Sequence, residues 1–146
     1  MALPPAFTRY LRTVGMTKPL IDRAAVIYDF YRQIVKGPIP GICVSEYITD
    51  ENQRNYESLW FFTPRLAMEA KSFLTGDDFD LTPLQRIVRI QYRKEEYDFK
   101  KATERSRLHV SCQDDAAISY NLKASGINCD HLKDISTRFL LPNLKP

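Results

Sequence analysis

WFFTPRLAMEAKSF, residues 60–73, joins two apolar runs across Thr63-Pro64-Arg65. Proline presets the first central position of a turn, and the flanking runs are rich in aromatic and alternating residues. The stretch therefore reads as two strands of a hairpin, Tyr56 to Phe62 and Leu66 to Phe73, with the aromatics in a core.

The period of two extends outward in both directions. Ile42, Val44, Glu46 and Ile48 alternate with Cys43, Ser45 and Tyr47, and residues 49–55 form a polar turn before the hairpin. Beyond it, Gly76 to Asp80 reads as a loop. Arg86 to Arg93 reads as a strand, with Tyr97-Asp98-Phe99 as its continuation. Leu108, Val110 and Cys112, then Ile118, Tyr120 and Leu122, alternate around a turn at Gln113-Asp114-Asp115. Short strands with short turns predict an antiparallel meander, because parallel pairing needs crossovers of about a dozen residues or more.

Helices flank the meander. Leu20, Ala24, Ile27, Tyr28, Tyr31, Ile34 and Val35 recur every three or four residues after Pro19, which predicts a long amphipathic helix. Phe7, Tyr10, Leu11 and Val14 predict a shorter one closed by Gly15. Gly37-Pro38-Ile39-Pro40-Gly41 ends the helical region, residues 1–36. Leu132, Ile135, Phe139 and Leu140 mark a last helix after Asn128, a residue favoured at N-caps, and Pro142 stops it. The fold class is α+β in one domain of 146 residues.

Composition agrees. Hydrophobic residues make up 44% and charged residues 27%, values that exclude a disordered chain. The net charge of +3 is too small to argue nucleic-acid binding by itself. No apolar run is long enough for a membrane helix, and residues 1–16 lack a signal-peptide pattern. Cys43, Cys112 and Cys129 fit no metal or redox spacing and suggest thiols in a reducing compartment, the cytoplasm.

Trp60-Phe61-Phe62, the Thr63-Pro64-Arg65-Leu66 turn, the strand to Phe73, the loop Phe79-Asp80-Leu81-Thr82-Pro83-Leu84 and the strand Arg86-Ile87-Val88-Arg89-Ile90 follow one another in an order that resembles the bacterial PH-like domains. The resemblance spans residues 42–141. It implies a half-open antiparallel barrel of the pleckstrin-homology type, closed by the C-terminal helix with Leu132, Ile135 and Phe139 as its plug. It also implies a non-catalytic interaction module. The two N-terminal helices have no counterpart in the minimal fold.

Lipid-binding members place basic residues in the first hairpin. Here residues 48–55 carry Asp50 and Glu51 against Arg54, which argues against phosphoinositide binding. Basic charge gathers at residues 86–107 instead, which net +4. Arg89, Arg93, Lys94, Lys100, Lys101, Arg105 and Arg107 are the candidate partner-binding residues. Their expected partner is a protein or peptide. Tyr92, Tyr97 and Phe99 among them leave nucleic acid as a weaker expectation. Interleaved acids also allow an ordinary solvated face.

Asp77, Asp78 and Asp80 lack the pattern of a calcium loop, and His109 and His131 neighbour no nucleophile motif. No metal, cofactor or catalytic residue is expected. The helix stripe Leu20, Ile27, Tyr28, Tyr31 and Ile34 must be buried on the barrel's outside, against Tyr47, Leu59 and Phe61, or against a second copy as a homodimer. The alternative architecture is an NTF2-like cone with a small-molecule pocket lined by Tyr28, Tyr31, Trp60, Phe62 and Tyr92.

Overall fold

The computed structural model describes residues 3–48, 53–71, 78–96 and 106–145. Helix α1, Pro5–Thr13, starts on a proline whose missing N–H costs nothing in the first turn. Gly15, at φ +86°, turns the chain out of it, a conformation glycine adopts without strain. Helix α2 runs Lys18–Val35. Strands β1 Gly41–Ile48, β2 Arg54–Phe62, β3 Leu66–Lys71 and β4 Asp78–Pro83 form one antiparallel sheet in that order. Strands β5 Ile87–Glu96, β6 Ser106–Asp114 and β7 Ser119–Ser125 form a second. Helix α3, Asn128–Ile135, continues through a π-helical turn to Leu140. The protein is α+β, and its described strands close no barrel.

The hairpin that decides the reading is there. Phe62 lies opposite Ala67 and Phe61 opposite Met68. The Thr63 N–H donates to the Leu66 carbonyl at 2.9 Å, and the Thr63 hydroxyl oxygen accepts from the backbone of Arg65 and Leu66. Threonine thus replaces one backbone acceptor of the turn.

Each face of the first sheet has its own core. On one face, Ile42, Val44, Leu59, Phe61, Met68 and Ala70 pack with Leu11, Ile27, Tyr28 and Tyr31 of the helices. On the other, Cys43, Trp60, Phe62 and Ala67 pack with Leu108, Val110, Leu122, Leu132, Ile135 and Phe139. Gly41 lies so close to this second core that a Cβ there would sit 2.5 Å from the Phe139 ring.

Three sequence readings change. Residues 78–80, read as a loop, begin strand β4, and Lys71 beside Asp80 at 2.6 Å offsets the charge that made the segment look like a turn. Leu59 and Phe61 receive the helices as expected, but Tyr47 does not, because alternation along β1 puts it on the face of Cys43 and Ser45, where Arg107 and Lys123 stand over its ring. Ile42 and Val44 take that place, each opposite Phe61 or Leu59. Asn128 is no N-cap: it is the first helical residue, and its side chain serves β1. The turn at 49–52, the end of the hairpin at 72–73, Asp77 and the Tyr97–Phe99 continuation lie outside the described residues. No described helix is long and apolar enough to cross a membrane.

Candidate functional site

The second sheet has an apolar side and a polar side. Alternation sends Leu108, Val110, Cys112, Tyr120, Leu122 and Ala124 into the second core. The intervening residues line up in rows across the strands: Arg89, Gln113 and Ser119; Gln91, Ser111 and Asn121; Arg93, His109 and Lys123; Glu95, Arg107 and Ser125. Every member of the four rows is polar. Most are exposed or half-buried, and Ser125 alone is buried. Arg89, Arg93, Arg107 and Lys123 against Glu95 leave the side basic.

Pairing within the rows is local. Glu95 accepts the Arg93 guanidinium at 2.7 Å and meets His109 Nε2 at 3.3 Å. The Ser111 hydroxyl donates to Asn121 at 2.5 Å. Arg107 and Lys123 both stand over the Tyr47 ring, at 5.5 and 5.7 Å from its centroid.

Strand β7 meets the first sheet through side chains. The Lys123 N–H donates to the Ser45 hydroxyl oxygen at 2.9 Å, and the Ser125 N–H to a Glu46 carboxylate oxygen at 2.7 Å. Beside this junction, His109, Asn121 and Lys123 line an open groove of about 370 Å³ with Ser45, Glu57, Ser58, Glu69 and Lys71. Glu57 and Lys123 face each other across it at 3.4 Å. Burial pushes the Glu69 carboxyl up from its ordinary value, with Lys71 opposing.

The candidate residues divide accordingly. Arg89, Arg93 and Arg107 share the polar side. Lys94 lies opposite Leu108, so its side chain leaves the other way. There it lines a smaller groove of about 200 Å³ with Cys129, Asp130 and Lys133, which Arg107 also borders. Lys100, Lys101 and Arg105 lie outside the described residues. Lys123 and Glu57 were missed by segment-based reading. They come from distant strands, and only the alternation in Ser119–Ser125 hinted at Lys123.

A second polar cluster is buried. The Tyr10 hydroxyl donates to Asn128 Oδ1 at 2.7 Å and accepts the Val44 N–H at 2.9 Å. Asn128 Nδ2 donates to the Val44 carbonyl at 2.9 Å and to Glu46 at 3.1 Å. His131 stacks on Tyr10 at 3.7 Å and donates to the Ile42 carbonyl. Glu46 is wholly buried, with Arg54 3.0 Å from its carboxylate as an ion pair rather than an aligned hydrogen bond. Burial raises the Glu46 carboxyl above its usual range, with Arg54 the largest opposing influence, and burial lowers the His131 imidazole. The adjacent Cys43 thiol is pushed up to about 12 by burial. A protonated thiol sealed from solvent is no nucleophile. The cluster instead ties α1 and α3 to the edge of β1.

The small-molecule pocket expected of a cone is not assembled. Tyr28 and Tyr31 lie in the core on one face of the first sheet, Trp60 and Phe62 in the core on the other. Tyr92 is part-exposed and hydrogen-bonded to Ser136.

No family model and no curated protein matches the chain. Among solved structures, the crystal structure of the C-terminal domain of an unknown protein from Leishmania infantum is similar to it, with a TM-score of 0.50 at 9% sequence identity, over 77% of this chain and 96% of that domain. At that identity the likeness concerns the fold alone.

Proposed function

We propose that this protein is a non-catalytic, PH-like interaction module of the cytoplasm that binds an acidic protein or peptide segment on the polar side of β5–β7. The observation that carries the reading is the four-row face without an apolar member, basic in sum and open to solvent. A half-open barrel reading draws support from the four- and three-stranded antiparallel sheets and from Leu132, Ile135 and Phe139 of the last helix, packed between them. The described cysteines are all free thiols, which suits a reducing compartment.

An acidic peptide fits better than a nucleic-acid strand. Single-strand binders stack bases on aromatic rings, and the four rows hold none. Tyr92 points to Ser136 on the helix side. Tyr97 and Phe99 lie outside the described residues.

The test is fluorescence anisotropy with a labelled Asp/Glu-rich peptide and, in parallel, a labelled single-stranded oligonucleotide. The peptide should bind, weaken with rising salt as surface electrostatics do, and be lost in an Arg89→Glu, Arg93→Glu, Lys123→Glu variant. Binding that survives the triple reversal, or binding of the oligonucleotide alone, would refute the reading.

A further inference from the structure

Strand β4 is the edge of its sheet. β3 takes one side of it, and no described strand takes the other. The Thr63 N–H to Leu66 carbonyl bond turns the Leu66 backbone toward β2. Alternation turns Met68 and Ala70 the same way, and Ala67, Glu69 and Lys71 toward β4. Their opposite residues, Thr82, Asp80 and Asp78, therefore direct their backbone groups at β3. Phe79 and Leu81 direct theirs outward, as does the Pro83 carbonyl.

The same edge is apolar on the helix side. Phe79, Leu81 and Pro83 lie opposite Ala70, Met68 and Leu66 and so share the face that α2 covers. Phe30 of α2 stacks on Phe79 at 4.6 Å. Val26, Phe30 and Ile34 recur every fourth residue along α2 with 60%, 39% and 47% exposure, and Leu81 is 41% exposed. The edge at β5 differs at its start: the Lys145 N–H donates to the Ile87 carbonyl, so the chain's own C-terminal segment takes that end of it. Edge strands left open template pairing with another chain.

We propose that β4 pairs antiparallel with β4 of a second copy about a two-fold axis at Leu81, with the Val26–Phe30–Ile34 stripes of both copies flanking the joint. A two-fold axis normal to the sheet preserves its faces, so a residue opposes itself or one an even number of positions away. An axis at Asp80 would set Asp80 against itself, and like charges directly opposite are destabilising. An axis at Leu81 sets Leu81 against Leu81, Asp80 against Thr82 and Phe79 against Pro83. The outward backbone groups at the centre of the joint then match. Leu81 N–H and carbonyl exchange bonds with Leu81 of the second copy, and each Phe79 N–H reaches a Pro83 carbonyl. Proline has no N–H to return, so the Phe79 carbonyl at each end of the joint goes unpaired across it. Lys71 holds Asp80 in each copy, so the joint brings no unpaired carboxylates together. A second copy fits this edge by its own symmetry, and closed two-fold dimers are the commonest oligomers.

The test is the mass of the full chain by size-exclusion chromatography with light scattering, from micromolar to submillimolar concentration. The protein should be a dimer, and Leu81→Lys and Val26→Asp should each give a monomer with unchanged far-ultraviolet circular dichroism. Both side chains are exposed, so folding should survive. In a Cys129→Ser background, Leu81→Cys should oxidise to a covalent dimer, because Cα atoms about 5.5 Å apart in a hydrogen-bonded pair lie within disulfide reach. Ile118→Cys, as exposed but remote, should not. A monomer at every concentration, a dimer that persists in Leu81→Lys, or equal cross-linking at residues 81 and 118 would overturn the proposal.

Discussion

The two sheets are built alike and used differently. The first is covered on both faces over most of its area, by α1 and α2 on one and by the second sheet and α3 on the other. The second is covered on its apolar side and bears four polar rows on the opposite one. A sheet covered twice is committed to stability. A sheet covered once has a side on which substitutions cost the fold little, and such a side is free to serve a partner.

Arginine scanning breaks or upholds that contrast most sharply. Phe61→Arg should abolish folding, since it removes a core aromatic and forces a charge under α2, and the cost of about 3–5 kcal/mol for the ring plus several more for the ion is comparable to the roughly 5–15 kcal/mol by which a domain is stable. Ser111→Arg, on the polar rows, should shift stability by no more than about 0.5 kcal/mol. Chemical denaturation of both variants is the measurement, and equal losses would mean the second sheet has a hidden cover.

Next in size is the plug. Phe139 stacks on Phe62 at 5.4 Å and is buried against Gly41. Phe139→Asp should lower stability by about 4 kcal/mol, the combined effect of a lost aromatic and a buried carboxyl. An unchanged denaturation midpoint would show that the last helix does not close the second core.

The junction between the sheets comes third. Glu46→Ala strands Arg54, the Ser125 N–H and part of Asn128, and should cost about 3 kcal/mol. Glu46→Gln, which keeps an acceptor for Ser125 and Asn128, should cost less in the same denaturation series. A loss from Glu46→Gln as large as from Glu46→Ala would place the stabilisation in the charge rather than in the hydrogen bonds.

The smallest expected effect is a pH dependence with opposite signs at two neighbouring groups. The folded Glu46 carboxyl is raised, so its contribution is fully present below the unfolded carboxyl value and is lost as pH rises through the folded one. The folded His131 imidazole is lowered, so its contribution is present above the unfolded imidazole value and is lost as pH falls through the folded one. Melting curves across mildly acidic pH should therefore differ between Glu46→Gln and His131→Gln, the first losing the wild type's gain toward acid and the second its loss. Parallel profiles for both variants and wild type would dissociate the β1 seam from the protein's acid response.

Much of this architecture was legible in local pattern. Period two after Gly41 and period three to four before it marked strands and helices, because half-buried elements repeat their contacts with their own geometry. The turn at Thr63-Pro64-Arg65, the stop at Gly37-Pro38 and, apart from the exposed Ile34, the apolar stripe of α2 read directly. Arg89 and Arg93 are exposed, which suits both a binding surface and a solvated face. Residues 78–80 did not: aspartates mark turns by composition, and the ladder to β3, with Phe79 packed on Phe30 and Tyr31 of α2, makes them strand residues.

What tertiary structure alone decided was which face is which. β1 is buried on both sides from Gly41 to Glu46, so alternation had no polar side to report, and nothing local showed that Tyr47 shares the face of Cys43 rather than that of Leu59 and Phe61. Whether Lys94 joins Arg93 or leaves it depends on pleat parity, and the company of Lys123 with Arg93 depends on strand register. The Glu46–Asn128–Tyr10 cluster draws on residues from both ends of the chain, each polar and locally unremarked. Local sequence determines the preference of a segment; side-chain partners fixed by pairing far along the chain are set only when the sheets close.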